Sequence, residues 1–153
     1  MKFDSRTKPL VSIVTPCFNS GLYLEGCIQS VLHQDYPRVE HIIQDGCSKD
    51  AIVKILQKYR HSKYKKRIRI CSEPDSSQNE GLDKVLRKIG GELFLVLNAD
   101  DELLPNACTW GIEKLTQNPG CAAIYGYEYI IDERGKIIGI HIGKEPYVYE
   151  RVF

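Results

Sequence analysis

Leu93-Phe94-Leu95-Val96-Leu97 runs directly into Asn98-Ala99-Asp100-Asp101, and this junction decides how the rest of the chain is read. Five apolar residues without polar alternation predict a parallel strand that is buried on both faces and central in its sheet. Two adjacent carboxylates then stand at its carboxyl end, the edge where an open α/β sheet keeps its ligand crevice. Such a cluster suits a hard cation: Mg²⁺ typically takes about one or two protein carboxylates and completes its shell with water and phosphate oxygens. Taken alone, Asp100 and Asp101 fit the termination of a strand and the capping of a helix equally well.

Upstream, apolar periodicity alternates between two kinds of segment. Val11-Ser12-Ile13-Val14 predicts a strand ending at Thr15-Pro16, followed by Leu24, Cys27, Ile28, Val31 and Leu32 at helical spacing. Val39 to Gln44 predicts a second strand, with Asp50 as N-cap of a helix carrying Ile52, Ile55, Leu56 and Tyr59. Ile68 to Cys71 predicts a third, leading into a helix striped by Leu82, Val85, Leu86 and Ile89 and closed by Gly90-Gly91. After the Leu93 strand, Pro105 suits a first helical turn, and Ala107, Cys108, Gly111, Ile112 and Leu115 mark a buried face. Strands alternating with helices imply a parallel sheet with right-handed crossovers. The tail differs: Ala122–Asp132 and Lys136–His141, separated by Glu133-Arg134-Gly135, predict an antiparallel hairpin.

Polar, loop-forming residues follow each predicted parallel strand: Thr15-Pro16-Cys17-Phe18-Asn19, Asp45-Gly46-Cys47-Ser48, Glu73-Pro74-Asp75 and Asn98-Ala99-Asp100-Asp101. Parallel strands bring these loops to one edge, which describes a ligand crevice. A nucleotide fits it, with Asp45 accepting from a base N–H, Thr15 and Asn19 engaging base or ribose, and a metal on Asp100 offsetting diphosphate charge. The structural alternatives are turn and cap roles for Thr15, Asn19, Asp45 and Asp75.

Composition narrows the partners. With 153 residues, one core is expected. Balanced charge, 21 basic against 20 acidic side chains, argues against nucleic acid as a partner. The most basic stretch, His61-Ser62-Lys63-Tyr64-Lys65-Lys66-Arg67, reads as a solvated connection, with a phosphate or anionic-membrane contact as the alternative. No apolar run approaches the roughly 20 residues of a membrane span, and Met1 to Arg6 lack the apolar core of a signal peptide, so an intracellular, soluble chain is expected. Six cysteines without a C-x-x-C pair, several of them within helix or strand cores, read as reduced thiols acting as small hydrophobes rather than as disulfides or zinc ligands. The ending at Arg151-Val152-Phe153, without a turn signal or polar tail, leads to the expectation that the natural polypeptide continues.

Four ordered motifs now carry a resemblance: Val11-Ser12-Ile13-Val14-Thr15-Pro16 with Asn19; Gln44-Asp45-Gly46-Cys47-Ser48-Lys49-Asp50; Ser72-Glu73-Pro74-Asp75 with Gln78; and Leu97-Asn98-Ala99-Asp100-Asp101. Over roughly residues 9 to 140 the chain resembles the family 2 glycosyltransferases. The resemblance implies a Rossmann-like GT-A nucleotide-diphospho-sugar transferase fold, a mostly parallel central sheet flanked by helices, here read as one domain truncated before its acceptor-binding segment. It implies transfer from a nucleotide-sugar, commonly a UDP-sugar, with inversion, in polysaccharide biosynthesis. By position, Thr15, Pro16, Asn19, Asp45, Asp75, Asn98 and Ala99 would bind the donor nucleotide, and Asp100 would match the metal-binding Asp of the D-x-D element, holding Mg²⁺ or Mn²⁺. The acceptor could be a glycan, a lipid-linked glycan or a protein. A cytoplasmic setting, with peripheral contact at the inner membrane face, is compatible with the family, and self-association is left open.

The chain departs from the family pattern at several positions. Asn98 replaces the first Asp of D-x-D; its amide can bond a ribose hydroxyl but adds no charge for the metal. After Asp75, Ser77, Gly81, Asp83 and Val85 stand where the family often has Gly, Ala, Asn and Gly, and Tyr127 stands where Asp often follows Tyr-Gly. No catalytic base is assigned: inverting transfer needs one for the acceptor hydroxyl, the family supplies it from a later segment, and nothing promotes Asp101, Glu128, Asp132 or His141. Two other readings compete with this one. One is a truncated module of the same fold that binds nucleotide or partner protein without turnover. The other, a nucleotidyltransferase or dinucleotide-binding enzyme, conflicts with a first loop that has a single, late glycine, Gly21, and no G-x-G-x-x-G pattern.

Overall fold

The structure, a computed structural model, describes residues 8–142; the expectations for Met1 to Arg6 and for Arg151 to Phe153 lie outside these residues. The described residues form two compact units, one ending at Thr109 and the other beginning at Trp110.

The first unit holds strands β1 (Val11–Cys17), β2 (Val39–Asp45), β3 (Ile68–Ser72) and β4 (Leu93–Val96) in the order β3-β2-β1-β4, all pairings parallel. Helices α1 (Leu24–Leu32), α2 (Ile52–Arg60) and α3 (Gln78–Leu86) connect them. Successive strand residues point to opposite faces, and the core divides accordingly. Cys17 and Ile43 pack with Leu24, Ile28, Ile52, Leu56 and Tyr59 from α1 and α2, whereas Val14 and Ile42 pack with Leu82, Val85, Leu86 and Ile89 from the α3 side. A fully buried Ile or Leu contributes roughly 1.5–3 kcal/mol, so the helical stripes read from the sequence hold the two layers onto the sheet.

Pro16 is tolerated within β1 because the β1–β4 pairing ends at Val14↔Val96. Two residues later only β2 lies alongside, and the missing N–H costs no second ladder. At the start of α2 the cap differs from expectation by one position: Ala51 is the N-cap, and Asp50 before it accepts from the backbone N–H of Ile52 at 3.1 Å and of Gly21 at 2.7 Å. Helix α3 is capped by Ser77, whose hydroxyl accepts from Glu80 N–H at 3.3 Å.

The position of β4 corrects a prediction. It is an edge strand that pairs with β1 alone among the described residues, and Phe94, Leu95 and Val96 are 56%, 36% and 39% exposed. An unbroken apolar run records a preference for burial on both faces, but it does not say which segment does the burying. Strand rank in the sheet is therefore not written in it.

Helix α4 (Ala107–Gln117) carries the expected stripe, of which Cys108 is buried and Ala107, Gly111, Ile112 and Leu115 are half-buried. In the second unit, β5 (Glu128–Ile131) pairs antiparallel with β6 (Ile137–His141). The predicted first strand began at Ala122; regular pairing starts six residues later, at Glu128. Asp132 closes the turn by accepting from the N–H groups of Arg134 and Lys136, both at 2.9 Å, and Gly135 adopts φ +75°, which glycine takes without strain.

Candidate active site

The chain lays β1, β2 and β3 outward in one direction and then returns to place β4 on the other side of β1. This reversal is a topological switch point, where the loops after two adjacent strands diverge and leave a crevice. A cleft of about 470 Å³ opens there, lined by Pro16, Cys17, Phe18, Asn19, Ser20, Tyr23, Asp75, Gln78, Asn98, Ala99 and Asp100. Six of the predicted donor and metal residues thus share one cavity: Pro16, Asn19, Asp75, Asn98, Ala99 and Asp100.

Thr15 and Asp45 do not line it. Thr15 is fully buried, its hydroxyl hydrogen-bonded to His41 Nε2 at 2.9 Å. Asp45 is 2% exposed and occupied: Oδ1 accepts from Ser48 N–H at 3.0 Å, and Oδ2 accepts from the Ser72 hydroxyl at 2.6 Å. Their strand-end positions match the prediction, and their polar atoms are hydrogen-bonded inside the protein. Sequence order does not show that, because Thr15 meets His41 of β2 and Asp45 meets Ser72 at the end of β3, residues distant along the chain.

Those bonds build a continuous wall behind the cleft. Asn19 N–H donates to Ser48 Oγ at 2.9 Å, and Asn19 Oδ1 accepts from Lys49 N–H at 3.0 Å. With Asp45 and Ser72, the network ties the loops after β1, β2 and β3 together. Asn19 has φ +50°, a left-handed conformation that Asn tolerates better than most residues. On the other side, Asn98 Oδ1 accepts from Gln78 Nε2 at 3.0 Å, and Asn98 Nδ2 donates to Asp101 Oδ2 at 3.0 Å. Asn98 therefore links the start of α3 to the β4 loop, and Asp100 is left exposed beside it.

Asp75 sits over two glycines. A Cβ at Gly46 or at Gly81 would lie 2.9 Å from the Asp75 carboxylate, and one at Gly81 would also lie 3.7 Å from Pro16 Cβ. Gly81 was a detectable signal that sequence reasoning passed over. A glycine inside a helix costs up to about 1 kcal/mol relative to alanine, so its presence in α3 marks a close approach. Cys17, Phe18, Ser20 and Tyr23 were also missed as lining residues; Phe18 and Tyr23 are 62% and 46% exposed. Lys84 is engaged by Glu80 at 2.7 Å and by the Pro74 carbonyl at 2.5 Å and does not line the cleft.

Burial governs the nearby titrations. Desolvation raises the Cys17 thiol far above its usual range, with the charge of Asp45 adding to it, and raises Cys27 to about 12. His41, enclosed by the sheet, is lowered to about 3 by desolvation and is neutral at pH 7. The buried thiols Cys17 and Cys27 are protonated at neutral pH, whereas Cys47 and Cys121 are exposed. Of the titratable groups left without a role, Asp101 is bonded to Asn98, Asp132 closes the hairpin turn, and Glu128 pairs with His141 at 3.4 Å.

Residues 12–151 match the model of glycosyl transferase family 2. The chain belongs to that family. A teichuronic acid biosynthesis glycosyltransferase of Bacillus subtilis, itself described as putative, is 32% identical over 127 residues, 82% of this chain and 50% of the relative. Among solved structures, a mannosyltransferase from Pyrobaculum calidifontis in complex with GDP-Man and Mn²⁺ superposes with TM-score 0.66 at 21% identity, covering 84% of this chain and 37% of that one. TarS residues 1–349 of S. aureus in complex with UDP superposes with TM-score 0.60 at 21% identity, covering 72% and 33%. These likenesses establish the GT-A fold. The chain spans half or less of the length of the curated relatives it matches.

Proposed function

We propose that this chain supplies the donor-binding part of a metal-assisted, inverting glycosyltransferase that uses a nucleotide-diphosphate sugar, with UDP as the nucleotide. The observation that carries the reading is the polar cleft at the β1/β4 switch point, lined by Asn19, Asp75, Asn98 and Asp100 in a chain of family 2. The structural neighbours in complex with UDP and with GDP-Man support a nucleotide as the ligand.

In this reading Asp75 accepts hydrogen bonds from base or ribose donors, and Asn98, held by Gln78, faces the ribose and diphosphate. The wall built by Asp45, Ser48 and Asn19 orients the first loop and excludes water from its rear. Among the described residues no group of three or more His, Cys, Asp and Glu side chains could hold a metal. One exposed carboxylate, Asp100, fits a cation shared with a substrate diphosphate, since Mg²⁺ and its like are typically held by about one or two carboxylates plus phosphate oxygens. When bound, such a cation supplies charge neutralisation of the departing diphosphate. The acceptor and its base belong to the whole protein, with glycan, lipid-linked glycan and protein acceptors all compatible, as is association with a membrane surface. No helix among the described residues is long and apolar enough to cross a membrane.

The test is calorimetric titration of the chain with UDP, GDP and CDP, each with and without Mn²⁺, repeated on Asp100→Ala. The expected result is Mn²⁺-dependent binding of UDP that the variant loses. No nucleotide binding by a folded chain refutes the donor site. Sugar transfer by the chain alone would remove the reading as a non-catalytic module, whereas nucleotide binding without transfer leaves that reading standing.

A further inference from the structure

Away from the cleft, cations gather where β3 begins. The segment before β3 is a run of tight turns: Lys65 N–H donates to the Ser62 carbonyl at 3.2 Å, Arg67 N–H to the Tyr64 carbonyl at 2.7 Å, and His41 N–H to the Arg67 carbonyl at 2.8 Å. The first two bonds shape the turns, and the third fastens the end of the segment to β2. Lys65, Lys66, Arg67 and Arg69, with Glu40 and Ile68, line a concavity of about 320 Å³.

Its electrostatics are one-sided. The single carboxylate is already used: Glu40 Oε1 accepts from the Ser12 hydroxyl at 2.5 Å and from Gly90 N–H at 2.8 Å, and Oε2 meets Arg69 at 3.4 Å. Arg69 also donates to the Lys88 carbonyl. Lys65, Lys66 and Arg67 have no ion-pair partner among the described residues, and Arg67 Nε is buried without a hydrogen bond. Arginine stays charged at any physiological pH, so Arg67, like Lys65 and Lys66, brings to the concavity a positive charge that no carboxylate among the described residues pairs with.

We propose that this concavity is a phosphate-binding site, separate from the donor cleft, that takes a phosphate group presented free or on a phosphorylated headgroup. A guanidinium fork and two flexible ammonium groups on adjoining residues match the charge and the several acceptor oxygens of a phosphate. The site lies at the amino end of β3, whereas the cleft follows the carboxyl ends. Five strand residues at roughly 3.3 Å each separate the two by about 16 Å, too far for one diphosphate to occupy both. The inference does not depend on the donor reading.

The test follows backbone amide NMR shifts as the 153-residue chain is titrated with inorganic phosphate and then pyrophosphate. Saturable shifts confined to residues 64–69 are expected, with affinity about tenfold weaker in Lys66→Gln and again in Arg67→Gln. Lys66 is exposed, so Lys66→Gln is expected to keep its melting temperature and its UDP response, which separates this site from the cleft. Sedimentation with phosphatidylglycerol vesicles, competed by phosphate, assigns the group to a lipid headgroup; absence of sedimentation alongside the NMR shifts assigns it to a soluble phosphate. Phosphate shifts that are absent, non-saturable or unchanged in Lys66→Gln overturn the proposal, as does vesicle binding that phosphate does not compete.

Discussion

Gly81→Ala separates the stability of the fold from the integrity of the cleft. The substitution adds a Cβ inside α3, where alanine is favoured over glycine by up to about 1 kcal/mol. That gain would raise the melting temperature of a domain this size by roughly 2–4 °C. The new Cβ would stand 2.9 Å from Asp75 Oδ2, whereas ordinary contact begins at 3.4 Å, so the carboxylate must retreat by about 0.5 Å (3.4 − 2.9). Pro16 Cβ, at 3.7 Å, needs no movement. A hydrogen bond from a ribose or base donor, lengthened from about 2.8 to about 3.3 Å, loses much of its strength. Hydrogen bonds to charged groups contribute roughly 1.5–3 kcal/mol, so losing about 1 kcal/mol of that would weaken UDP binding roughly fivefold. Thermal unfolding and calorimetry on the same preparation read both effects. Undiminished UDP affinity with raised stability would show that Asp75 makes no contact with the ligand. A loss of more than about 1 kcal/mol of stability would show instead that the helix cannot absorb the methyl group by moving Asp75.

Asp45→Ala removes the shared acceptor of Ser48 N–H, in a buried residue, and of the hydroxyl of Ser72, an exposed one. Water can replace the partner of Ser72, so the loss of the Ser48 bond should cost about 1–3 kcal/mol in urea unfolding; a cost under about 0.5 kcal/mol would mean that the carboxylate does not brace the loop. His41 predicts a pH dependence. Its native value, about 3, lies below the unfolded value of 6.5, so the unfolded chain binds the extra proton, and stability present above pH 6.5 is lost as pH falls toward 3. Between pH 7.5 and 5.5 this amounts to about 1.4 kcal/mol, a difference that urea unfolding at the two pH values should show and that His41→Asn should abolish.

The core and the element order were legible because periodicity reports burial one residue at a time. Ile28, Ile52, Leu56 and Val85, all taken as core from their spacing, are buried. The β4 run was legible as apolar but not as the edge strand it is among the described residues, since rank in a sheet depends on segments distant in sequence. The cleft was half legible for the same reason. Asn19, Asp75 and Asp100 follow strand ends, and parallel strands bring such loops together whatever their side chains do next. The roles of Thr15 and Asp45 turned on which neighbours reach them first, His41 from β2 in one case and Ser48 and Ser72 in the other.

Local chemistry written along the chain was enough for the alternation of strands and helices, the parallel sheet, the edge that carries the ligand crevice and the family resemblance, because each depends on spacing and residue type. Three-dimensional packing was needed to show Asp45 buried and bracing Ser48 and Ser72, to make Gly46 and Gly81 the bed of Asp75, and to bring Glu40 of β2 beside Lys65, Lys66, Arg67 and Arg69 around one concavity. These outcomes depend on distances across the sheet and between its loops, which are set only when the layers close on one another.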